Sequence, residues 1–250
     1  MSNERIKDIL DTLDYLGLEA SRKRLIELYR SPEFSSYNPL QLLREVLSVQ
    51  YIEDKNADFD KAIRLSKVVN REASIEKLKT GNGRVYDENV IEQISSFDFV
   101  ENGYNVGVYG VSDAGKTYLM SAFCIEACRL GFDCRYVDYV EMMDELVALN
   151  RSTDLSKYNK RLKKYSKYQI LFIDDFGISK YPEEGMNILY HLVKKREEGK
   201  KSTFFTTQHA PDEWGKKLSG NENCFGKLDG IRRRLIKGFT VLVEKSSMTN

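Results

Sequence analysis

Eight consecutive residues carry the most specific chemistry in this 250-residue chain. Gly110-Val111-Ser112-Asp113-Ala114-Gly115-Lys116-Thr117 follows a β-rich run, YNVGVY, and opens a helical stretch, YLMSAFCIEACRL, that Gly131 closes. Glycine, four residues, then glycine-lysine-threonine in that setting is a phosphate loop. Its glycines let backbone amides approach a phosphate chain, and the helix N-terminus adds its positive end. Lys116 then neutralises the outer phosphates and the Thr117 hydroxyl ligates magnesium, so the eight residues are the candidate site for a nucleoside triphosphate and Mg2+. Asp113 is out of keeping, since a carboxylate in a phosphate cradle repels the ligand unless it points outward.

Two further strand ends supply groups of the kind phosphoryl transfer needs. QILFIDDFG runs apolar into Asp174 and Asp175, as a buried central strand would at the ligand-binding edge of a parallel sheet. Asp174 is placed to hold magnesium, directly or through water, and Asp175 to orient or deprotonate the attacking water. TFFTTQHA ends in Thr206, Thr207 and Gln208, and Gln208 is placed to hydrogen-bond that water or the terminal phosphate. Arg232, Arg233 and Arg234 precede the last strand. They read either as a basic helix end complementing the dipole or as the source of an arginine finger.

The elements that must position these groups alternate. YNVGVY, DCRYV, QILFID, TFFTT and TVLVE are five strand-like runs separated by helix-sized stretches, which predicts an α/β fold with a five-stranded parallel sheet covered by helices. Before them, apolar residues recur at helical spacing: Ile6, Ile9, Leu10, Leu13 and Leu16, then Leu25, Leu28 and Tyr29, then Leu42, Leu43, Val46, Leu47 and Tyr51. Asn38-Pro39 is a cap and first position for the longest of these helices. Residues 74–103, with Gly81, Gly83 and Gly103, read as a connector. The expected domains are therefore 1–80, helical with its connector, and 81–250.

Composition excludes several classes. Lys+Arg 39 against Asp+Glu 38 leaves a net charge of +1, so any surface for a polyanion must be local. Cys124, Cys128, Cys134 and Cys224 contain no CxxC pair, and with 2 histidines the chain offers neither a zinc-finger spacing nor a disulfide scaffold. Cys124 and Cys128, four apart, share a helix face that packs on the sheet; His191 is read as non-catalytic and Trp214 as packed under a loop. The charged start MSNERIKDIL and the lack of any long apolar run predict a cytoplasmic protein without a membrane partner.

Together the phosphate loop, IDDFG, TTQ with PDEW after it, and IRRRL resemble the IstB-like transposition ATPases, of the DnaA/DnaC clade of AAA+ proteins. LDYLGLEASRKRL and LLREVL look like the helical domain of that family, and residues 81–245 look like its ATPase core. The resemblance implies an AAA+ P-loop fold in which Gly110, Gly115, Lys116 and Thr117 bind ATP and magnesium, Asp174 and Asp175 are the paired acids, and Gln208 is sensor one. It further implies that Arg234 is a finger reaching a neighbouring copy. By the same resemblance, an ATP-dependent homo-oligomer clamps and bends double-stranded DNA and stimulates a partner transposase. Three departures, Asp113, Asp rather than Glu at 175, and an EKSSMTN end without a sensor-two arginine or a full lid, imply slow hydrolysis.

For DNA, the stretch 151–168 sets Arg151, Lys157, Lys160, Arg161, Lys163, Lys164 and Lys167 against Asp154, with Tyr158, Tyr165 and Tyr168 interleaved. It is either a solvated helix face or a phosphate-contacting track with aromatic packing. Arg22, Lys23 and Arg24 are a second candidate. The competing functional readings are a DnaC-like replicative helicase loader, a small-molecule P-loop kinase, for which no arginine-bearing lid is found, and a nucleotide-dependent scaffold.

Overall fold

The computed structural model describes residues 2–79, 84–219 and 222–245. Gly81, Gly83 and the carboxyl-terminal residues from Ser246, named above, lie outside them. The chain divides within its third helix into two units, Met1–Lys61 and Ala62–Asn250.

The first unit is helical. α1 (Ser2–Tyr15) and α2 (Glu19–Arg30) pair, a 3-10 turn follows at Pro32–Ser36, and α3 (Pro39–Ser66) begins where the Asn-Pro signal places it. The Gln41 amide donates to Asn38 Oδ1 at 2.9 Å and the Asn38 amide to Gln41 Oε1 at 3.1 Å, a reciprocal cap that satisfies two otherwise orphaned donors. Leu13, Leu25, Leu28 and Val46 form the small core, flanked by Ile6, Leu10 and Leu42. Ile9, Leu16, Leu43, Leu47 and Tyr51, which share the same periodicity, are exposed.

The second unit begins well before residue 80. The end of α3 and α4 (Ile75–Lys79) belong to it: Arg135 donates to the Leu65 carbonyl at 3.0 Å, and the Ser74 amide donates to the Tyr118 hydroxyl at 3.4 Å. No glycine or proline marks this division in the sequence, because it falls inside a continuous helix. The remaining elements run β1 (Arg84–Tyr86), α5 (Glu88–Ser95), α6 (Asp98–Glu101), β2 (Asn105–Tyr109), α7 (Lys116–Arg129), β3 (Cys134–Asp138), α8 (Tyr139–Arg151), α9 (Leu155–Lys167), β4 (Ile170–Asp174), α10 (Glu183–Glu198), β5 (Ser202–Thr207), α11 (Phe225–Leu235) and β6 (Gly238–Lys245).

Strand order is β1-β6-β2-β5-β4-β3. The five strands expected from the sequence are all parallel, and the three-residue β1 adds antiparallel to β6. It lies in the stretch read as connector and is too short to show a period of two. β4 and β5 are buried along their whole length, as central strands covered on both faces must be. Helices α8 to α11 cover one face of the sheet through a core that includes Tyr139, Leu146, Phe176, Leu189, Trp214 and Ile231. Within that layer Arg196 of α10 is fully buried; its guanidinium donates to the carbonyls of Tyr165 at 2.7 Å, Tyr168 at 3.0 Å and Ser202, and to Thr203 Oγ1 at 3.1 Å. One side chain thus ties the exit of α9 to the start of β5, and burial lowers its pKa to about 9.

Candidate nucleotide site

The exits of β2, β4 and β5 meet at one edge of the sheet, where the order of connections reverses and ligands of such folds collect. A cavity of about 500 Å³ opens there, lined by Ser112, Asp113, Gly115, Lys116, Thr117, Asp175 and Gln208 with Asn70, Tyr118 and Ile178. The structure therefore brings the phosphate loop, the second acid and Gln208 around one space.

The loop's shape follows from its residues. Gly115 has φ +102°, a left-handed conformation that turns the chain into α7. A Cβ on Gly110 would meet the Val243 carbonyl oxygen of β6 at 2.3 Å, so only glycine lets the loop leave the sheet here. Asp113 also has positive φ, +59°, which aspartate tolerates better than most residues, and its side chain is exposed. Its presence is thus a backbone requirement met by a second-best residue.

Lys116 is 5% exposed, and its ammonium donates to the Val111 carbonyl at 2.8 Å. Burial lowers its pKa, while Asp175, Asp174 and Asp113 pull it back up, which places all three carboxylates in its field. The donor set fits a nucleoside triphosphate with a hard cation: one ammonium inside an amide-lined turn, the Thr117 hydroxyl, and carboxylate oxygens opposite.

The two acids end β4 in different states. Asp174 is 7% exposed. Its Oδ2 accepts from the Tyr136 hydroxyl of β3, and its Oδ1 from the Thr206 hydroxyl of β5 and, at 3.1 Å, from the Asp175 amide. It lines a neighbouring cavity of about 560 Å³ under β3, together with Tyr136, Asp138 and Arg135, rather than the loop cavity itself. Asp175 makes no such side-chain bonds among the described residues and sits at φ +52°, a strained setting for a residue other than glycine. Its amide also donates to Thr206 Oγ1 at 2.9 Å. Burial raises the Asp175 pKa, the nearby Asp174 charge raises it further, and Lys116 opposes both. The next turn is fixed by the Phe176 amide to the Thr206 carbonyl at 2.7 Å and the Thr207 hydroxyl to the Phe176 carbonyl at 2.8 Å, so β4 and β5 end as one unit.

Tyr136 and Thr206 are the site residues that sequence reading misses. Thr206 stands within TTQ, but strand-end polarity points to Gln208; Tyr136 lies inside a strand and is delivered by the β3–β4 register, Tyr136 opposite Phe172. Gln208 is exposed and lines the cavity beside Asp175.

Arg234 does not reach this cavity. Its Nε donates to Glu197 at 2.6 Å, its Nη1 to the Gly230 carbonyl at 2.9 Å, and its guanidinium lies 5.2 Å from the centre of the Tyr190 ring. Arg232 pairs with Asp229 at 3.0 Å, and Arg233 is exposed.

At the end of α8 and along α9 the charges divide. Arg151 pairs with Glu184 and Arg161 with Glu145, each at 2.8 Å, and Lys157 lies 3.7 Å from Asp154. Lys160, Lys163, Lys164 and Lys167 are exposed and form no ion pair among the described residues. Tyr158, Tyr165 and Tyr168 face the core instead of solvent, which removes them as stacking surfaces. In the first unit Arg22, Lys23 and Arg24 each lie against an acid, Asp14, Glu19 and both Glu27 and Glu45 respectively. Among the described residues no helix is long and apolar enough to cross a membrane.

A parallel sheet ordered in this way, with a phosphate loop after β2 and paired acids two strands away, defines a P-loop protein whose fold is that of AAA+ domains. Residues 11–241 match the family described as IstB-like ATP binding protein, and the chain belongs to that family. It is 24% identical over 199 residues, 80% of this chain and 84% of the other, to a protein of Pseudomonas fluorescens named for ATP binding in insertion sequence IS1162. A second relative, from insertion sequence IS5376 of Geobacillus stearothermophilus and named likewise, is 24% identical over 91% of this chain and 88% of its own. Among solved structures, DnaI superposes with a TM-score of 0.55 at 18% identity over 74% of this chain and 93% of that one. The replication initiator DnaA bound to AMPPCP and single-stranded DNA superposes with a TM-score of 0.56 at 18% identity, over 70% of this chain and half of that one.

Proposed function

We propose that this protein is an ATP-hydrolysing regulator of insertion-sequence transposition that assembles on double-stranded DNA in its ATP state and acts on a partner transposase. The observation that carries the reading is the convergence of Lys116, Thr117, Asp175 and Gln208 on one cavity, with Asp174 held beside it. Membership of a family whose relatives are named for ATP binding within insertion sequences supports the biological setting.

In this reading the loop amides and Lys116 hold the triphosphate, the ammonium exchanging the Val111 carbonyl for phosphate oxygens. Thr117 and Asp174 would hold Mg2+, which when bound neutralises phosphate charge. Hydrogen bonds from Tyr136 and Thr206 to the two Asp174 oxygens fix the orientation of that carboxylate, whose remaining lone pairs would hold the ion directly or through water. Asp175 orients the attacking water and accepts its proton; its raised pKa brings it closer to the range in which a base is effective. Gln208 hydrogen-bonds the water or the terminal phosphate. Arg234 leaves Glu197 when a second copy docks and meets the transition-state charge of the neighbour. The exposed lysines of α9 contact DNA phosphates, a backbone-directed grip without base reading.

Sedimentation of the full chain with duplex DNA, with and without Mg·ATP, tests the reading. ATP-dependent co-assembly with DNA is expected, together with turnover that rises on assembly. DNA binding indifferent to nucleotide contradicts it, and ATP-dependent binding to a hexameric helicase instead of a transposase would move the protein to the loader class.

A further inference from the structure

Outside the nucleotide site, one cluster of chemically able side chains stands out. Cys124 and Cys128 are one helical turn apart on the buried face of α7. After Gly131 turns the chain at φ +83°, Cys134 opens β3 and comes back against them. The Sγ atoms of all three lie within 4.8 Å of one another, and Cys128 and Cys134 are 3.4 Å apart. Spacing alone hides this, because the third thiol arrives through the helix-to-strand turn and not through a CxxC pair.

We propose that Cys124, Cys128 and Cys134 form a binding site for a soft, thiophilic divalent cation of the zinc and cadmium kind. Three sulfurs sharing such an ion at about 2.3 Å lie roughly 3.8 to 4.0 Å apart, so the cluster reaches coordinating geometry through shifts of about half an ångström. Net charge selects the ion. Three thiolates around a divalent cation leave a single negative charge, whereas a monovalent cation leaves two, which is more costly in a buried site. Binding releases the proton of each sulfur still protonated, at least two because hydrogen bonds from Cys124 and Cys134 lower the Cys128 pKa and favour its thiolate, and no electrons move. The ion enters from the side of β3, the edge strand of the sheet, where Cys134 is the most exposed of the three at 6%. Once bound, it ties the second half of the phosphate-loop helix to that edge.

The test is a titration of the full, reduced chain with Cd2+ alone, read by thiolate-to-cadmium absorption and by proton release. One ion per chain, at least two protons released and a raised Tm are expected. Cys134→Ser should weaken binding by about tenfold or more. Cys134→Val should abolish the Tm response while its packing is kept, and Cys224→Ser, outside the cluster, should bind as the unaltered chain does. Absence of saturable binding, release of fewer than two protons, or unchanged affinity in Cys134→Ser would overturn the proposal. So would a Cys128–Cys134 disulfide formed in place of ion binding. If a Cys134 variant fails to fold, stoichiometry and proton release in the unaltered chain still decide.

Discussion

The sheet edge and the outer face of α9 are both dense in charge, yet they are built in opposite ways. At the edge Asp174 is gripped from β3 and β5, Lys116 is buried against the Val111 carbonyl, and Asp175 is held in a left-handed conformation. On α9 and at its approach the two arginines are taken up by Glu184 and Glu145 while four lysines stand free of ion pairs among the described residues. Preorganised charge suits a reaction, where orientation is fixed before the chemistry begins. Exposed charge without an ion-pair partner suits a polyanion, whose affinity depends on counterion release and not on one geometry.

Substitutions at four places break or sharpen this contrast. Asp175→Asn should have the largest effect, lowering ATP turnover by roughly 10² to 10⁴ while leaving nucleotide affinity within severalfold. The same variant should melt higher at neutral pH. A carboxylate whose folded pKa is raised costs stability wherever it is ionised, so the gain should shrink as pH falls below the Asp175 pKa and both side chains become neutral. An unchanged turnover would remove Asp175 from the reaction.

Arg234→Ala should retain ATP binding and lose assembly-stimulated turnover; turnover equal to the unaltered chain would end the finger assignment. Glu197→Gln, which frees Arg234 from its ion pair, should leave that turnover intact or raise it.

Tyr136→Phe should lower kcat by about 10- to 100-fold with little change in KM for ATP, as expected of a residue that positions a metal-holding acid. A change confined to KM would show that the hydrogen bond serves binding instead.

The smallest effect belongs to α9. Replacing Lys160, Lys163, Lys164 and Lys167 with alanine should leave DNA-independent ATP turnover untouched while flattening the salt dependence of duplex binding, by roughly one unit of log–log slope for each phosphate that no longer meets a lysine. A salt slope that does not move would assign α9 to solvation alone.

Most of the sheet and the main site residues are legible in the sequence because their signals are local. The phosphate loop, IDDFG and TTQ each lie within a few residues of a strand end, and the strand alternation fixes which edge they share. What stays hidden is carried by contacts distant in sequence. Tyr136 reaches Asp174 only through strand register, Arg234 meets Glu197 across two helices, and Cys134 joins its partners through a turn. The domain division inside α3 leaves no mark because a continuous helix shows no break in composition. The interleaved tyrosines of α9 share one helix with the lysines, and only the packed structure shows that they face inward.

The central claim is tested most directly by calorimetric titration of Mg·ATP into the full chain and into Lys116→Ala. Saturable, Mg2+-dependent binding of one nucleotide per chain, abolished in the variant while its Tm holds, is what the site requires. Equal affinity in the two proteins would contradict it.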